Sequence, residues 1–206
     1  MLVGLTGQMG AGKTTLAGHL RSRGARVVDA DQLGHEMLER PVVKRGLEQA
    51  FGTEVIGEDG KVDRRALANL AFQDAAAVSS LNQIVGEPLN TELWKRVEHA
   101  RGTADEIVVV DAALLVEWGM QSRFDTVVVV IVEEEESVIR RLESNRGLER
   151  DEILRRLKAQ GPVEAKLAVA DFVGHNDGDP EAFKDRADAL WLDLEQLRDS
   201  AESTRN

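Results

Sequence analysis

Residues 2–14 read LVGLTGQMGAGKT, an apolar run that leads directly into a glycine-rich loop. Residues 7–14 match the pattern G-x-x-x-x-G-K-[ST] at every fixed position. The apolar run predicts a buried strand, and the spacing of Leu16 and Leu20 predicts a helix over 13–23. A strand, a glycine loop and a helix in this order form a phosphate-binding P-loop. The alternative, a chance run of glycines, does not explain this context.

The residue types of the loop suit this chemistry. Glycines let backbone N–H groups curl around phosphate oxygens without Cβ clashes. Lys13 can reach the β- and γ-phosphates of ATP, and the Thr14 hydroxyl is placed to bind Mg²⁺. We therefore predict these ATP-binding residues in and after the loop: Gly10, Ala11, Gly12, Lys13, Thr14 and Thr15.

The remaining pattern predicts a parallel α/β sheet interrupted by helices. Strands are expected at 25–28, 106–111, 125–132 and 172–174, and the continuous apolar character of the second and third suggests burial on both faces. Helices are expected at 32–40, 42–51, 63–73, 75–85 and 88–101, with a turn at 57–60, and then at 137–160 and 180–197. Glu133 to Glu136 should mark a helix start, and residues 203–206 should be frayed.

The composition favours a soluble α/β protein without thiol chemistry. The 206 residues include 26 Lys and Arg, 37 Asp and Glu and no Cys, for a net charge of −11. This balance argues against non-specific binding to nucleic acids or membranes. The longest apolar run is too short to span a bilayer. Because the first strand runs straight into the glycine loop, we expect no signal peptide and a cytoplasmic location.

Aspartates are predicted at the carboxyl edge of the sheet, where loops of parallel strands line one crevice. Asp29 and Asp31 follow the second strand, and Asp111 ends an apolar strand. We favour Asp31 as the base for an attacking hydroxyl, with a helix-capping role as its alternative. Asp111 is placed like a carboxylate that holds Mg²⁺, with a strand-end cap as its alternative.

In combination, these segments resemble the dephospho-coenzyme A kinase family over roughly residues 1–180. The resemblance rests on Thr6-Gly7, Asp29-Ala30-Asp31, Asp111-Ala112-Ala113-Leu114-Leu115-Val116-Glu117, Arg156-Leu157-Lys158-Ala159-Gln160, Lys166, Ala170-Asp171, Asn176 and Gly178. It implies ATP-dependent phosphorylation of the ribose 3′-hydroxyl of dephospho-coenzyme A, the last step of coenzyme A synthesis. In that reaction Asp31 matches the proposed base.

The resemblance also implies a three-layer P-loop NTPase fold with a parallel sheet, in a single kinase domain of residues 1–206. Its core would comprise 1–30, 104–138 and 168–200, its helical substrate-binding region 31–103 and its short lid 139–167. We expect a monomer or weak homo-oligomer whose partner is the small-molecule substrate.

Three positions depart from the pattern of the family. Glu87 stands where the family usually has a histidine before the proline, and the segment has one extra residue. Ala113 replaces the proline of D-x-P-L-L-x-E. A lid arginine falls on Asn145, with Arg146 shifted by one.

Arginines crowd the predicted lid at positions 140, 141, 146, 150, 155 and 156. A lid arginine can neutralise the transferring charge, and we predict Arg141 as catalytic and Arg146 as ATP-binding. The alternative is a solvated helix face that pairs with Glu143, Glu149 and Glu152.

Two other functions fit the residues. One is a P-loop kinase of another small hydroxyl or nucleotide acceptor, and the other is a non-catalytic nucleotide-binding regulator. The chain has no N-K-x-D segment, which disfavours a GTPase.

Overall fold

The computed structural model describes residues 1–71, 73–102 and 106–205, apart from the side chains of residues 75, 146, 159, 202, 204 and 205. Within these ranges the strands are β1 Leu2–Gly7, β2 Arg26–Asp29, β3 Val108–Asp111, β4 Thr126–Ile131 and β5 Phe172–His175. The helices are α1 Lys13–Ser22, α2 Ala30–Leu38, α3 Pro41–Phe51, α4 Arg64–Ala71, α5 Ala75–Ala100, α6 Glu135–Arg146, α7 Arg150–Ala159, α8 Val163–Leu167 and α9 Pro180–Arg205. None of these helices has the length and apolarity required to cross a membrane.

The five strands form a parallel sheet in the order β2-β3-β1-β4-β5. β1 lies between β3 and β4, so the strand that carries the glycine loop is at the centre of the sheet. Leu5 of β1 is in register with Asp111 of β3, which is in register with Asp29 of β2. This arrangement confirms the predicted parallel α/β sheet and places the ends of β1, β2 and β3 side by side.

Helices cover both faces of the sheet, as the continuous apolar strands predict. Val128 and Val130 of β4 pack in the main core with residues of α1, α6 and α9. Val127 and Val129 point to the other face, where residues of α8 pack against them. The alternation follows from the two-residue period of a strand and produces helices above and below the sheet.

The chain divides into two compact units. One contains Met1–Asp29 and His99–Asn206, with the sheet, and the other is Ala30–Glu98. The second unit has its own apolar core around Val43, Leu47 and Leu67. Its predicted turn at 57–60 is confirmed, because the Gly60 N–H donates to the Gly57 carbonyl at 2.9 Å.

One helix replaces the two that were expected at 75–85 and 88–101. α5 continues through Gly86 and has Pro88 inside it. Proline removes one hydrogen-bond donor from a helix and usually bends or ends it. Here Leu89, Leu93 and Val97 are buried along one face. Their burial offsets the lost hydrogen bond, so packing overrides the local signal.

Two other helix boundaries differ from those predicted. The expected helix over 137–160 is two helices, because Gly147 adopts a left-handed conformation with φ 61° and ends α6. The last helix continues to Arg205, so residues 203–205 are helical and not frayed, and Asn206 lies outside the described part of the chain. Ser200 and Ser203 donate their hydroxyls to the carbonyls of Gln196 and Asp199 at 2.8 and 3.0 Å.

Candidate phosphoryl-transfer site

The glycine loop has a conformation that only glycine tolerates well. Gly10 and Gly12 have φ of 79° and 100°, in the region that L side chains rarely adopt. A Cβ on Gly12 would lie 2.3 Å from Asn176 Nδ2, and one on Gly10 would lie 3.1 Å from Leu142 Cγ. Both conformation and close packing therefore require glycine at these positions.

The predicted nucleotide residues of the loop are consecutive and lead into the start of α1. Ala11 is fully buried, Lys13 is half-buried, and Thr14 and Thr15 are exposed. The first turn of α1 contains no acidic residue. Since a helix N-terminus carries unpaired N–H groups and a partial positive charge, this surface suits an anion.

Two side-chain amides from distant parts of the chain hold the loop. Asn176 Nδ2 donates to the Ala11 carbonyl at 2.8 Å, and Gln160 Oε1 accepts from the Met9 N–H at 2.7 Å. Sequence reasoning assigned neither contact, although both residues belong to segments that match the family spacing. The only sequence signal was that spacing, since no local pattern links positions so far apart.

The carboxylates of Asp29 and Asp111 belong to adjacent residues on neighbouring strands. Asp111 is only 6% exposed. Beyond it, the Ala113 carbonyl accepts a hydrogen bond from Thr6 Oγ1 at 3.2 Å, which ties the segment after β3 to β1. The structure thus brings Asp29 and Asp111 to the edge of the sheet where β1 leads into the glycine loop.

Lys166 is a buried charge that sequence analysis did not assign to the site. Its side chain is 1% exposed and pairs with Glu117, Nζ to Oε1, at 2.6 Å. Its Nζ also donates to the Ala113 carbonyl at 3.1 Å. A buried ammonium must be paired and hydrogen-bonded to offset its desolvation, and the segment after Asp111 supplies both partners.

Three arginines of the predicted lid, Arg141, Arg150 and Arg156, make contacts within the protein. Arg141 donates to the Asn176 carbonyl at 2.7 Å, close to the amide that holds Ala11. Arg150 forms a two-pronged pair with Glu136 at 2.9 and 2.6 Å. This pair raises the pKa of Arg150 and lowers that of Glu136. Arg156 pairs with Glu152, as the solvated-face alternative predicts. The Arg146 side chain lies outside the described part of the structure.

Asp31 and Glu87 belong to the second unit. Asp31 is exposed in the first turn of α2, two residues after Asp29. Glu87 is exposed on α5. Both side chains are therefore accessible to a small molecule.

A magnesium ion would find a limited set of protein ligands here. Among the described residues, no three His, Cys, Asp or Glu side chains gather into a metal site. Mg²⁺ commonly takes one or two protein oxygens and completes its shell with substrate phosphates and water. A buried strand-end carboxylate at Asp111 and an exposed hydroxyl at Thr14 fit that pattern.

Comparison with known proteins agrees with this geometry. The dephospho-CoA kinase family model matches residues 1–181. A dephospho-CoA kinase of Corynebacterium glutamicum is 40% identical over 184 residues, which are 88% of this chain and 93% of that protein. A dephospho-CoA kinase of Syntrophus aciditrophicus is 38% identical over 93% of this chain and 82% of its own length.

Solved structures share the fold. The crystal structure of TT1252 from Thermus thermophilus has a TM-score of 0.81 and 32% identity, covering 94% of this chain and 97% of that one. A dephospho-CoA kinase from Campylobacter jejuni has a TM-score of 0.71 at 20% identity, covering 95% and 97% of the two chains, a likeness of fold. The fold is therefore that of P-loop NTPases, and the chain belongs to the dephospho-CoA kinase family.

Proposed function

We propose that this chain transfers the γ-phosphoryl group of ATP to the ribose 3′-hydroxyl of dephospho-coenzyme A. The products are ADP and coenzyme A, and the reaction is the last step of coenzyme A biosynthesis. The observation that carries the proposal is a glycine loop opening α1 beside the paired strand ends of Asp29 and Asp111, in a chain of this family.

The residues have distinct roles in the proposed reaction. The 3′-oxygen attacks the γ-phosphorus, and the bond from that phosphorus to the β–γ bridging oxygen breaks as ADP leaves. Asp31 accepts the proton of the hydroxyl. Lys13 offsets the charge on the β- and γ-phosphates, while backbone N–H groups of residues 10–15 hold the phosphates. Arg141 and Arg146 add positive charge from the predicted lid.

Thr14 and Asp111 would hold Mg²⁺, directly or through water. When bound, the ion supplies charge neutralisation at the β- and γ-phosphate oxygens. Asp111 is suited to this role because its position at a strand end is set by the sheet register with Leu5 and Asp29.

Other parts of the chain have proposed roles in the same reaction. We propose residues 31–103 as the region that binds dephospho-coenzyme A and 139–167 as the lid, around a core of 1–30, 104–138 and 168–200. A cytoplasmic location and a monomeric or weakly oligomeric state stay predictions. Glu87 replaces the usual histidine of the family, so substitution at position 87 tests whether this part of the chain binds the acceptor.

The assay is ADP release from purified protein with ATP and Mg²⁺. We expect release only when dephospho-coenzyme A is present, and none with adenosine or shikimate. Mass spectrometry of the product should show one added phosphate on the ribose. Lys13→Ala should remove most of the activity because the β- and γ-phosphates lose the positive charge of the lysine. ADP release that ignores dephospho-coenzyme A, or that follows another acceptor, would contradict the proposal.

Glu87→His restores the usual residue of the family before Pro88. If position 87 contributes to acceptor binding, this variant changes KM for dephospho-coenzyme A and leaves KM for ATP unchanged. Asn82→His, at another exposed position of α5, is the control. If both variants have the same KM for dephospho-coenzyme A, position 87 does not contribute to acceptor binding.

A further inference from the structure

We propose that residues 160–166, here called the brace, are a positioning element that holds the glycine loop and the segment after Asp111 in their working arrangement. The brace connects α7 to the end of α8. One of its ends contacts the glycine loop, and the other contacts the segment that follows β3. The expected effect of the brace on ADP release rests on the proposed function. Its effect on the conformation of the glycine loop and of the segment after Asp111 does not.

Gln160 is the first anchor of the brace. It follows α7, whose Ile153 is fully buried in the main core and whose Leu157 packs against that core. The end of α7 therefore has a defined position. From there Gln160 Oε1 accepts the Met9 N–H at 2.7 Å. This contact fixes a backbone donor just before Gly10, where the loop enters its left-handed turn.

Lys166 is the second anchor. It lies on α8, whose Val163 and Leu167 pack against Val127 and Val129 on the opposite face of the sheet from the main core. The ammonium reaches the Ala113 carbonyl at 3.1 Å and Glu117 Oε1 at 2.6 Å. Because the lysine is 1% exposed, its charge serves these internal partners and not solvent.

The stretch between the anchors is short and conformationally restricted. Gly161 has φ 70° and Pro162 precedes α8, so the chain turns sharply from one helix to the next. A few residues therefore contact both the glycine loop and the segment after Asp111. Thr6 Oγ1 donates to the same Ala113 carbonyl, so β1 shares the Lys166 attachment point. Loss of Gln160 should loosen the nucleotide loop, and loss of Lys166 should displace the segment that begins at Asp111.

The Gln160 anchor is tested with Gln160→Met, which keeps the size and removes the acceptor, and Gln160→Glu, which keeps an acceptor. Gln196→Met, at an exposed position of α9, is the matched control. We expect Gln160→Met to weaken binding of a fluorescent ADP analogue by about tenfold, because a constrained N–H loses its partner. Amide hydrogen exchange of a peptide spanning residues 7–12 should accelerate in Gln160→Met and stay near wild type in Gln160→Glu.

The Lys166 anchor is tested with Lys166→Met and Glu117→Gln. We expect Lys166→Met to raise the Mg²⁺ concentration for half-maximal ADP release by about tenfold. Mutation of a residue that orients metal ligands commonly weakens metal affinity by at least this factor. Amides of residues 112–119 should exchange faster in both variants, and this readout needs neither metal nor acceptor. Glu117→Gln removes the negative charge that pairs with the buried lysine, so it tests the anchor if Lys166→Met does not fold.

The outcomes separate this inference from the proposed function. Normal ADP-analogue affinity and normal amide exchange of residues 7–12 in Gln160→Met would overturn the first anchor. So would faster exchange in Gln160→Met that is equally fast in Gln160→Glu. Unchanged exchange of residues 112–119 in the Lys166 and Glu117 variants would overturn the second. If the wild-type protein phosphorylates no dephospho-coenzyme A while the variants show the expected changes in amide exchange and ADP-analogue affinity, the proposed function is refuted and the brace is supported.

Discussion

Asn176 Nδ2 lies 2.8 Å from the carbonyl oxygen of Ala11, to which it donates a hydrogen bond across 165 positions of the chain. The Asn176 N–H in turn donates to the Ile131 carbonyl at 2.9 Å, at the end of β4. The glycine loop is therefore attached to the sheet edge beyond β4 as well as to its own strand. This attachment should keep the loop in its phosphate-binding conformation before nucleotide arrives, which lowers the cost of ordering it on binding.

Asn176→Asp tests that attachment. The carboxylate has the same shape but no hydrogen to donate, and its negative charge would face the partial negative charge of the Ala11 carbonyl oxygen. We expect ADP affinity to fall by about tenfold, since a partly buried hydrogen bond is replaced by repulsion. Fluorescence titration with an ADP analogue measures the change, with Asn82→Asp on the exposed face of α5 as control. Equal affinities in the two variants would contradict the role of Asn176.

Gly12→Ala should abolish the loop conformation. Its φ of 100° is strained for any side chain, and the new Cβ would lie 2.3 Å from Asn176 Nδ2. We expect nucleotide affinity to fall by more than about tenfold. Gly18→Ala is the control, because Gly18 lies within α1 with no atom within 4 Å of a Cβ. That variant should bind nucleotide normally and gain about 0.5–1 kcal/mol of stability. Binding by Gly12→Ala at wild-type strength would refute this account of the loop.

Asp31→Asn should separate turnover from nucleotide binding. If Asp31 accepts the proton of the hydroxyl, the amide cannot, and kcat should fall by about 10²- to 10⁴-fold. Affinity for the ADP analogue should change less than about twofold. Asp59→Asn, in the exposed turn of the same unit, controls for the loss of one negative charge. Turnover near that of the control would exclude Asp31 as the base.

Acid should weaken the contact between α1 and α9. Arg23 lowers the pKa of Asp188 through a hydrogen bond, and His19 adds a second one at 2.7 Å. A carboxylate with a lowered folded-state pKa stabilises the fold above its unfolded pKa, which is near 3.9. That stability is lost as the pH falls through the lower folded-state value.

Thermal unfolding of the wild type and Asp188→Asn measures this effect. The wild type should unfold at a higher temperature at pH 6, and the gap should narrow as the pH falls below about 4. Asp193→Asn, on the exposed side of α9, is the control and should show no such narrowing. A gap between the wild type and Asp188→Asn that is constant from pH 6 to pH 3 would contradict the assignment.

Local patterns predicted most of the secondary structure but missed some boundaries. The glycine loop and the valine-rich strands follow from short-range periodicity and are confirmed. The expected break near Pro88 was wrong because α5 gains more from burying Leu89, Leu93 and Val97 than it loses at the proline. The expected continuous helix over 137–160 was wrong because Gly147 adopts a left-handed conformation. Glycine can adopt this conformation easily but does not have to, so the residue type alone did not predict the break.

By itself, the sequence predicted a phosphate-binding loop, because residues 7–15 are contiguous and the pattern depends on residue type and backbone freedom. It also indicated the family, through a resemblance carried by the P-loop, Asp29-Ala30-Asp31, residues 111–117 and segments between residues 156 and 178. Only the tertiary structure decided which distant side chains hold the site. Gln160, Lys166 and Asn176 reach the loops because β1 lies between β3 and β4. Strand order depends on the packing of the whole sheet, so it cannot be read from any local pattern.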